Sequence, residues 1–436
     1  MISKFKQYFY KPIDNSQIIL FRMLFGFLMA VESFGAIGTG WVRKTLVEPK
    51  FTFSFIGLDA LQPLPGNGMY FYFAVMGVVS LMVMLGYFYR VTSIVLAVMW
   101  TAVYFMQKTS YNNHYYLVML LLWWMAFMNA HRYAAMDVKR TGTIEHFCPN
   151  WYRLFFIIQV FLVFTFGALA KLYPGWTEGD FIRNAFASKT NYWLIGPLLG
   201  KAWFQQFITF GGVLFDGLIV PALLWKRTRI LALIGLIIFN IFNSVVFQIG
   251  IFPYAMIALS IFFFEPETIR RIFFKKKNNN DFNPKAFNSN LIFPIFIIYF
   301  IIQTALPLRH HFIEGDVTWR EEGHRMSWRM MLRTKSGSII LEAYDPQTEK
   351  KWIIKKQDYL TRKQVRNLAT KPDFLWQFVQ RLEKDFAAKG MEEVEIYCTK
   401  SIVRLNSNKG KPLYMKDIDL AKVDWNYFGR NEWVLD

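Results

Sequence analysis

Residues 166–180 read FGALAKLYPGWTEGD. Lys171 closes an otherwise apolar run that begins at Leu154, and an ammonium ion there is costly to bury. Where water is excluded, an ammonium holds its proton less tightly. A lysine in such a place suits a base. At the end of a membrane span it equally suits a boundary charge that snorkels to the headgroups. The stretch QKTSYNNHYY, 107–116, gathers Asn112, Asn113 and His114. They fit an oxygen-bearing ligand or an ordinary polar turn. In NAHRY, 129–133, His131 and Arg132 form a basic collar or reach inward. In FNIFNS, 239–244, Asn240 and Asn243 stand three apart and share a helix face, which suits a polar ligand or a bridge between helices. RHHFIEGDVTWREEGHRMSWRM, 309–330, mixes histidines and acids at a spacing that matches no metal motif. No metal is expected. The stretch reads as a junction lying against the membrane surface.

The elements that must position these side chains are membrane spans. The 436-residue chain is 54% hydrophobic and only 19% charged, which sets it apart from ordinary soluble domains. Apolar runs predict nine spans over 18–36, 70–86, 91–107, 115–130, 154–171, 208–225, 229–248, 250–264 and 290–307. Gly250 and Pro253 allow the seventh and eighth to be one kinked element. The first run is followed by further spans and not by a cleavage site, so it does not read as a signal peptide. Cys148 and Cys398 lie too far apart in sequence to suggest a disulfide scaffold or a thiolate metal set.

The net charge of +19 is not arranged as a nucleic-acid groove, and there is no phosphate-binding or dinucleotide glycine motif. With the N-terminus inside, the inner segments carry 17 Lys/Arg against 6 Asp/Glu, as the positive-inside tendency requires. The densest group is KKK, 275–277, in a stretch that reads as a mobile cytoplasmic linker. Nine spans then place the C-terminus outside the cytoplasm. Two long outer segments, 37–69 and 172–207, mix aromatics, Pro and Gly and suit a roof over a cavity. Beyond the ninth span the chain turns polar. SIILEAY (338–344), KKWIIK (350–355) and EVEIYC (393–398) predict strands, and DFLWQFVQRLEKDF (373–386) an amphipathic helix. The expected fold is a polytopic all-α membrane domain, 1–307, followed by a smaller, strand-rich extracytoplasmic α+β domain, 308–436.

Eight ordered stretches carry a family resemblance: FRMLFGFLM (21–29), LDALQPLP (58–65), LGYFYR (85–90), KTSYNNHYYL (108–117), FMNAHRYAAMD (127–137), AKLYPGWTEG (170–179), FNSVVFQIGIFPY (242–254) and EEGHRMSWRMM (321–331). The chain resembles the vitamin K-dependent gamma-glutamyl carboxylases, whose membrane part is shared with other HTTM-domain proteins. The resemblance implies a bacterial inner-membrane member. It implies gamma-carboxylation of a peptide or protein glutamate with O2 and CO2, driven by vitamin K hydroquinone or a related menaquinol and coupled to vitamin K epoxidation. It places the family's active-site lysine at Lys171 in KLYPGWTEG, as the base that takes the hydroquinone proton, with Trp176 and Glu178 in its lid. The family's Asn-Asn-His falls on Asn112, Asn113 and His114. Its asparagine–histidine pair falls on His131 and Arg132, where the order departs from the family pattern. Two other classes compete. One is a membrane quinol epoxidase or related oxidoreductase without carboxylation. The other is a transporter or scaffold, which needs a polar through-path and no hydroquinone chemistry.

Overall fold

The structure is a computed structural model that describes residues 2–193, 195–278 and 287–436. Among the described residues, seven helices are long and apolar enough to cross a membrane: α1 (Ser16–Gly38), α2 (Gly68–Leu85), α3 (Tyr89–Met106), α5 (Trp151–Ala170), α6 (Ala202–Leu224), α7 (Arg229–Phe247) and the segment Ile292–Phe312, which α9 (Ile292–Leu308) opens. Two further expected spans are shorter helices, α4 (Asn113–Phe127) and α8 (Phe252–Phe263). The seventh and eighth runs are separate elements. Gln248 at φ +52° and Gly250 at φ +62° stop α7 with left-handed backbone, and Pro253 then opens α8, where its missing N–H is no loss. The chain is an integral membrane protein.

The core forms where α1, α4 and α5 pack, through Phe21, Phe25, Leu121, Phe155 and Phe156, all almost fully buried. Gly86 sits between α2 and α3 at φ +64°, and a Cβ there would fall 2.5 Å from the Arg22 guanidinium. Arg22 donates to the carbonyls of Ala130 (3.0 Å) and Ala134 (2.7 Å) and so pins the turn after α4. By contrast, α6 and α7 bury less than a third of their most apolar stretch inside the protein. Their exposed Leu214, Leu218, Ile234 and Ile241 are the faces a bilayer would cover.

The basic stretch 275–277 is only partly a linker. Lys277 is buried and donates to Asp14 (2.7 Å), Asn15 (2.7 Å), Ser16 (3.2 Å) and the His146 carbonyl (3.1 Å). It clasps the start of α1, beside the small ladder of β1 (Pro12–Asp14) and β2 (Phe147–Pro149). The rest of the expected linker, 279–283, lies outside the described residues.

The C-terminal region contains a three-stranded antiparallel sheet in the order β4 (Lys350–Ile353), β3 (Lys335–Asp345), β5 (Glu395–Leu405). Ile339, Leu341 and Ala343 alternate on one face of β3, as the sequence pattern predicts. That face packs with α11 (Pro372–Ala387), which buries Phe374, Phe378 and Leu382, and with Leu368 of α10 (Arg362–Thr370). Thr361 and Gln364 form a capping box that starts α10.

Candidate active site

Lys171 is the residue that ends α5, and it does not reach out toward headgroups. It is 8% exposed, and its Nζ donates to Asp216 Oδ2 on α6. The ammonium also lies 5.1 Å from the centroid of Trp176, a cation–π contact. Trp176 is fixed by stacking on Phe181 (5.3 Å) and by donating from Nε1 to the Thr209 carbonyl (3.0 Å). Gly167, one turn before Lys171, makes room for the carboxylate: a Cβ there would stand 3.2 Å from Asp216 Oδ2. Glu178, expected in the same lid, is exposed.

The pair lines a cavity of about 380 Å³ between α5, α6 and α7. Its walls are mostly aromatic and aliphatic, with Phe204, Phe215, Phe239 and Phe242 among them. Asn240 and Asn243 both line it. Asn240 donates to the Leu236 carbonyl of its own helix (2.8 Å), whereas Asn243 has no hydrogen-bond partner among the described residues. His114 joins them, its ring stacked 4.0 Å from that of Phe252. Phe207 and Ile238 line the cavity while each is 63% exposed, so its wall is continuous with the lipid-facing surface of α6 and α7.

Asn112 and Asn113 line a neighbouring pocket that also includes His114, whereas His131 and Arg132 lie elsewhere. Asn112 caps α4 by accepting from Tyr115 N (2.7 Å). Asn113 donates to the Arg329 carbonyl (3.1 Å) and accepts from Tyr111 (3.0 Å), tying α4 to the C-terminal region. His131 and Arg132 follow the opposite end of α4 from His114, roughly 20 Å along the helix axis. His131 stacks on Tyr89 (5.2 Å), and burial followed by the Arg132 charge pushes it down to about 4, so the ring is neutral. Arg132 pairs with Glu145 (3.5 Å). The structure does not bring either to Lys171.

A second pocket, of about 320 Å³, shares His114, Met330 and Met331 with the first. Its lining is polar and cationic: Arg325, Arg329, Arg333, Lys335 and Lys371 face one carboxylate, Glu321. Glu321 is taken up by Arg333 and Lys335, which outweigh burial and hold its carboxyl well below the usual range. Arg325 is paired with Asp373 (2.8 Å). Lys371 and Arg329 have no carboxylate within ion-pair distance among the described residues, so the pocket carries excess positive charge. Among the described residues no group of three His, Cys, Asp or Glu side chains is placed to hold a metal ion.

Sequence reasoning missed Asp216 and Lys371. A lone acid inside the apolar run 202–224 was a usable signal for Asp216, since an ionisable residue at that depth calls for a partner. Lys371 carries no local signal, because tertiary folding alone brings it to His114.

A membrane bundle with a dry ammonium–carboxylate site matches known protein families in both of its parts. Residues 10–267 match the family model of the HTTM domain, which defines the class: an HTTM-domain membrane protein. Residues 288–436 match the lumenal domain of vitamin K-dependent gamma-carboxylase, and with both matches in order the chain belongs to the vitamin K-dependent gamma-carboxylase family. Membership supports an enzymatic role in vitamin K-dependent carboxylation. No solved structure matches the chain.

Proposed function

We propose that the protein carboxylates the γ-carbon of a peptide glutamate, using vitamin K hydroquinone or a related menaquinol, O2 and CO2, with epoxidation of the quinol as the coupled reaction. The observation that carries this reading is the shared wall of the two cavities. An apolar chamber holding Lys171 meets a cationic pocket at His114, Met330 and Met331. An epoxidase alone needs the first chamber and has no use for the second.

The chamber fits a quinol. Its size is in the range of small-ligand sites. Asn243 offers an unpaired amide, Asn240 a second polar group, and the aromatic walls suit a fused ring and an isoprenoid tail. The quinol would arrive through the bilayer beside Ile238. Lys171 is the base that takes its hydroxyl proton, in a chamber whose apolar walls exclude water. Bound hydroquinone and O2 together supply the stronger base needed to remove the glutamate γ-proton, and CO2 captures the carbanion. Lys371 and Arg329 receive the substrate carboxylate, with charge-assisted hydrogen bonds that orient it. In this reading the C-terminal region lies outside the cytoplasm, at the bacterial inner membrane.

The test supplies purified protein with reduced vitamin K, O2, labelled bicarbonate and a glutamate-containing peptide. Labelled peptide together with epoxide is the expected result. Epoxide without label supports the quinol oxidoreductase instead. Neither product from folded protein overturns both, and leaves a transporter or scaffold. Lys171→Ala is expected to abolish both products.

A further inference from the structure

An ammonium has no lone pair and cannot accept a proton, yet Lys171 is in direct contact with a carboxylate. Both side chains are buried, 10% and 8% exposed, and among the described residues no other carboxylate lines the chamber. A free amine must therefore arise by loss of a proton to bulk water or to Asp216. The route to bulk leads through an apolar wall. The route to Asp216 is a hydrogen bond that already exists.

We propose that Asp216 is the final acceptor of the proton that Lys171 takes, so that Lys171 is an ammonium both before and after the transfer. This rests on the quinol reading of the chamber. As the hydroxyl O–H bond breaks, a new N–H bond forms at Lys171 Nζ. The N–H already aimed at Asp216 breaks, and an O–H bond forms at Oδ2. Charge balances: ammonium, carboxylate and neutral hydroxyl become ammonium, carboxylic acid and an aryloxide. The chamber is neutral throughout, and no proton crosses its wall. The remaining ammonium stands beside the new anion, where attraction in a buried site is strong, while the Trp176 ring, 5.1 Å away, also supports the cation. Gly167 holds the Oδ2 position open, so the acceptor does not have to move. A carboxylate that merely anchors Lys171 would need none of this and would remain ionised.

The experiment is infrared difference spectroscopy on the full chain in lipid nanodiscs without oxygen, comparing samples with vitamin K hydroquinone and with oxidised vitamin K. The expected result is a carbonyl band of a protonated carboxylic acid that appears with hydroquinone and shifts in D2O. It should be absent in Asp216→Asn and kept in Asp216→Glu. Tryptophan fluorescence quenching by oxidised vitamin K, read on the same samples, reports whether the chamber binds a quinone. Binding without the band overturns the role of Asp216 and leaves the quinol reading standing. No binding to folded wild-type protein overturns both. A second readout is the rate of epoxide formation, which should fall in Asp216→Asn and be kept in Asp216→Glu; equal rates in wild type and Asp216→Asn overturn the proposal.

Discussion

Asp373, at the start of α11, accepts from Lys108 (2.6 Å) and Arg325 (2.8 Å), and so fastens the C-terminal region to the turn that leads into α4 and His114. Lys108 and Asp373 are 1% and 3% exposed. Removing one partner of such a buried pair leaves the other charge uncompensated, at about 3–5 kcal/mol. Asp373→Asn should therefore lower the melting temperature of the purified protein markedly, and an unchanged melt would show that the seam contributes little. Burial alone would raise the Asp373 carboxyl, but Arg325 and then Lys108 hold it well below its ordinary 3.8. Its contribution is present above that ordinary value and is lost as pH falls through the depressed one. Wild-type stability should drop in strong acid, with a smaller drop in Asp373→Asn.

On the proposed reading, Lys371 sets the pH limit for anion binding. Burial, ahead of neighbouring charges, lowers it to about 8, and burial does the same to Lys335 on the same pocket wall. Both are cations below that pH and neutral above it. Affinity for a glutamyl peptide should hold to about pH 7 and fall as pH rises toward about 9. Lys371→Met should weaken binding at neutral pH by about 1.5–3 kcal/mol, the worth of a charge-assisted hydrogen bond. Peptide titrations across pH check both, and an affinity that is level through this window would exclude Lys371 as a ligand.

Ile238 stands where the chamber wall faces lipid. Ile238→Trp should raise KM for a long-tailed quinol several-fold and leave kcat in place. Steady-state kinetics with long- and short-tailed quinols separate the two effects. Equal KM values for wild type and variant would place the access route elsewhere.

Gly167 tests the position of the carboxylate. The methyl of Gly167→Ala would press on Asp216 Oδ2 from 3.2 Å, so the carboxylate must shift by a few tenths of an ångström. The rate of epoxide formation should fall roughly tenfold while the melt is kept, because reacting groups tolerate little misplacement. An unchanged rate would argue that proton transfer does not depend on that contact.

Hydropathy made the seven long spans legible, and strict alternation made β3 legible, because burial on one face imposes a period that survives in sequence. The edges of that signal fail where helices are short. The runs at 115–130 and 250–264 read as spans, yet α4 and α8 are 15 residues and a shorter apolar helix. Lys171 was visible because a charge in an apolar run stands out alone. Its pairing with Asp216, 45 residues away, was not, since composition does not say which helices touch. Lys277 misled for a related reason: three lysines in a row read as solvated, but the third is drawn onto Asp14. His131 and Arg132 drew notice as polar residues at a span end; what sequence could not show is that Arg22 holds that turn and that Tyr89 stacks on His131.

The wall shared by the two cavities also orders events during synthesis. Lys171, Asp216, Asn240 and Asn243 are made before residue 250, so most of the chamber's polar lining is made early. Met330, Met331 and Lys371 emerge much later, and only then does the chamber gain its second lining and its cationic neighbour. A chain halted in between would hold Lys171 and Asp216 but lack Lys371. On the proposed reading, the two cavities meet only once the segment that carries Met330, Met331 and Lys371 has been made.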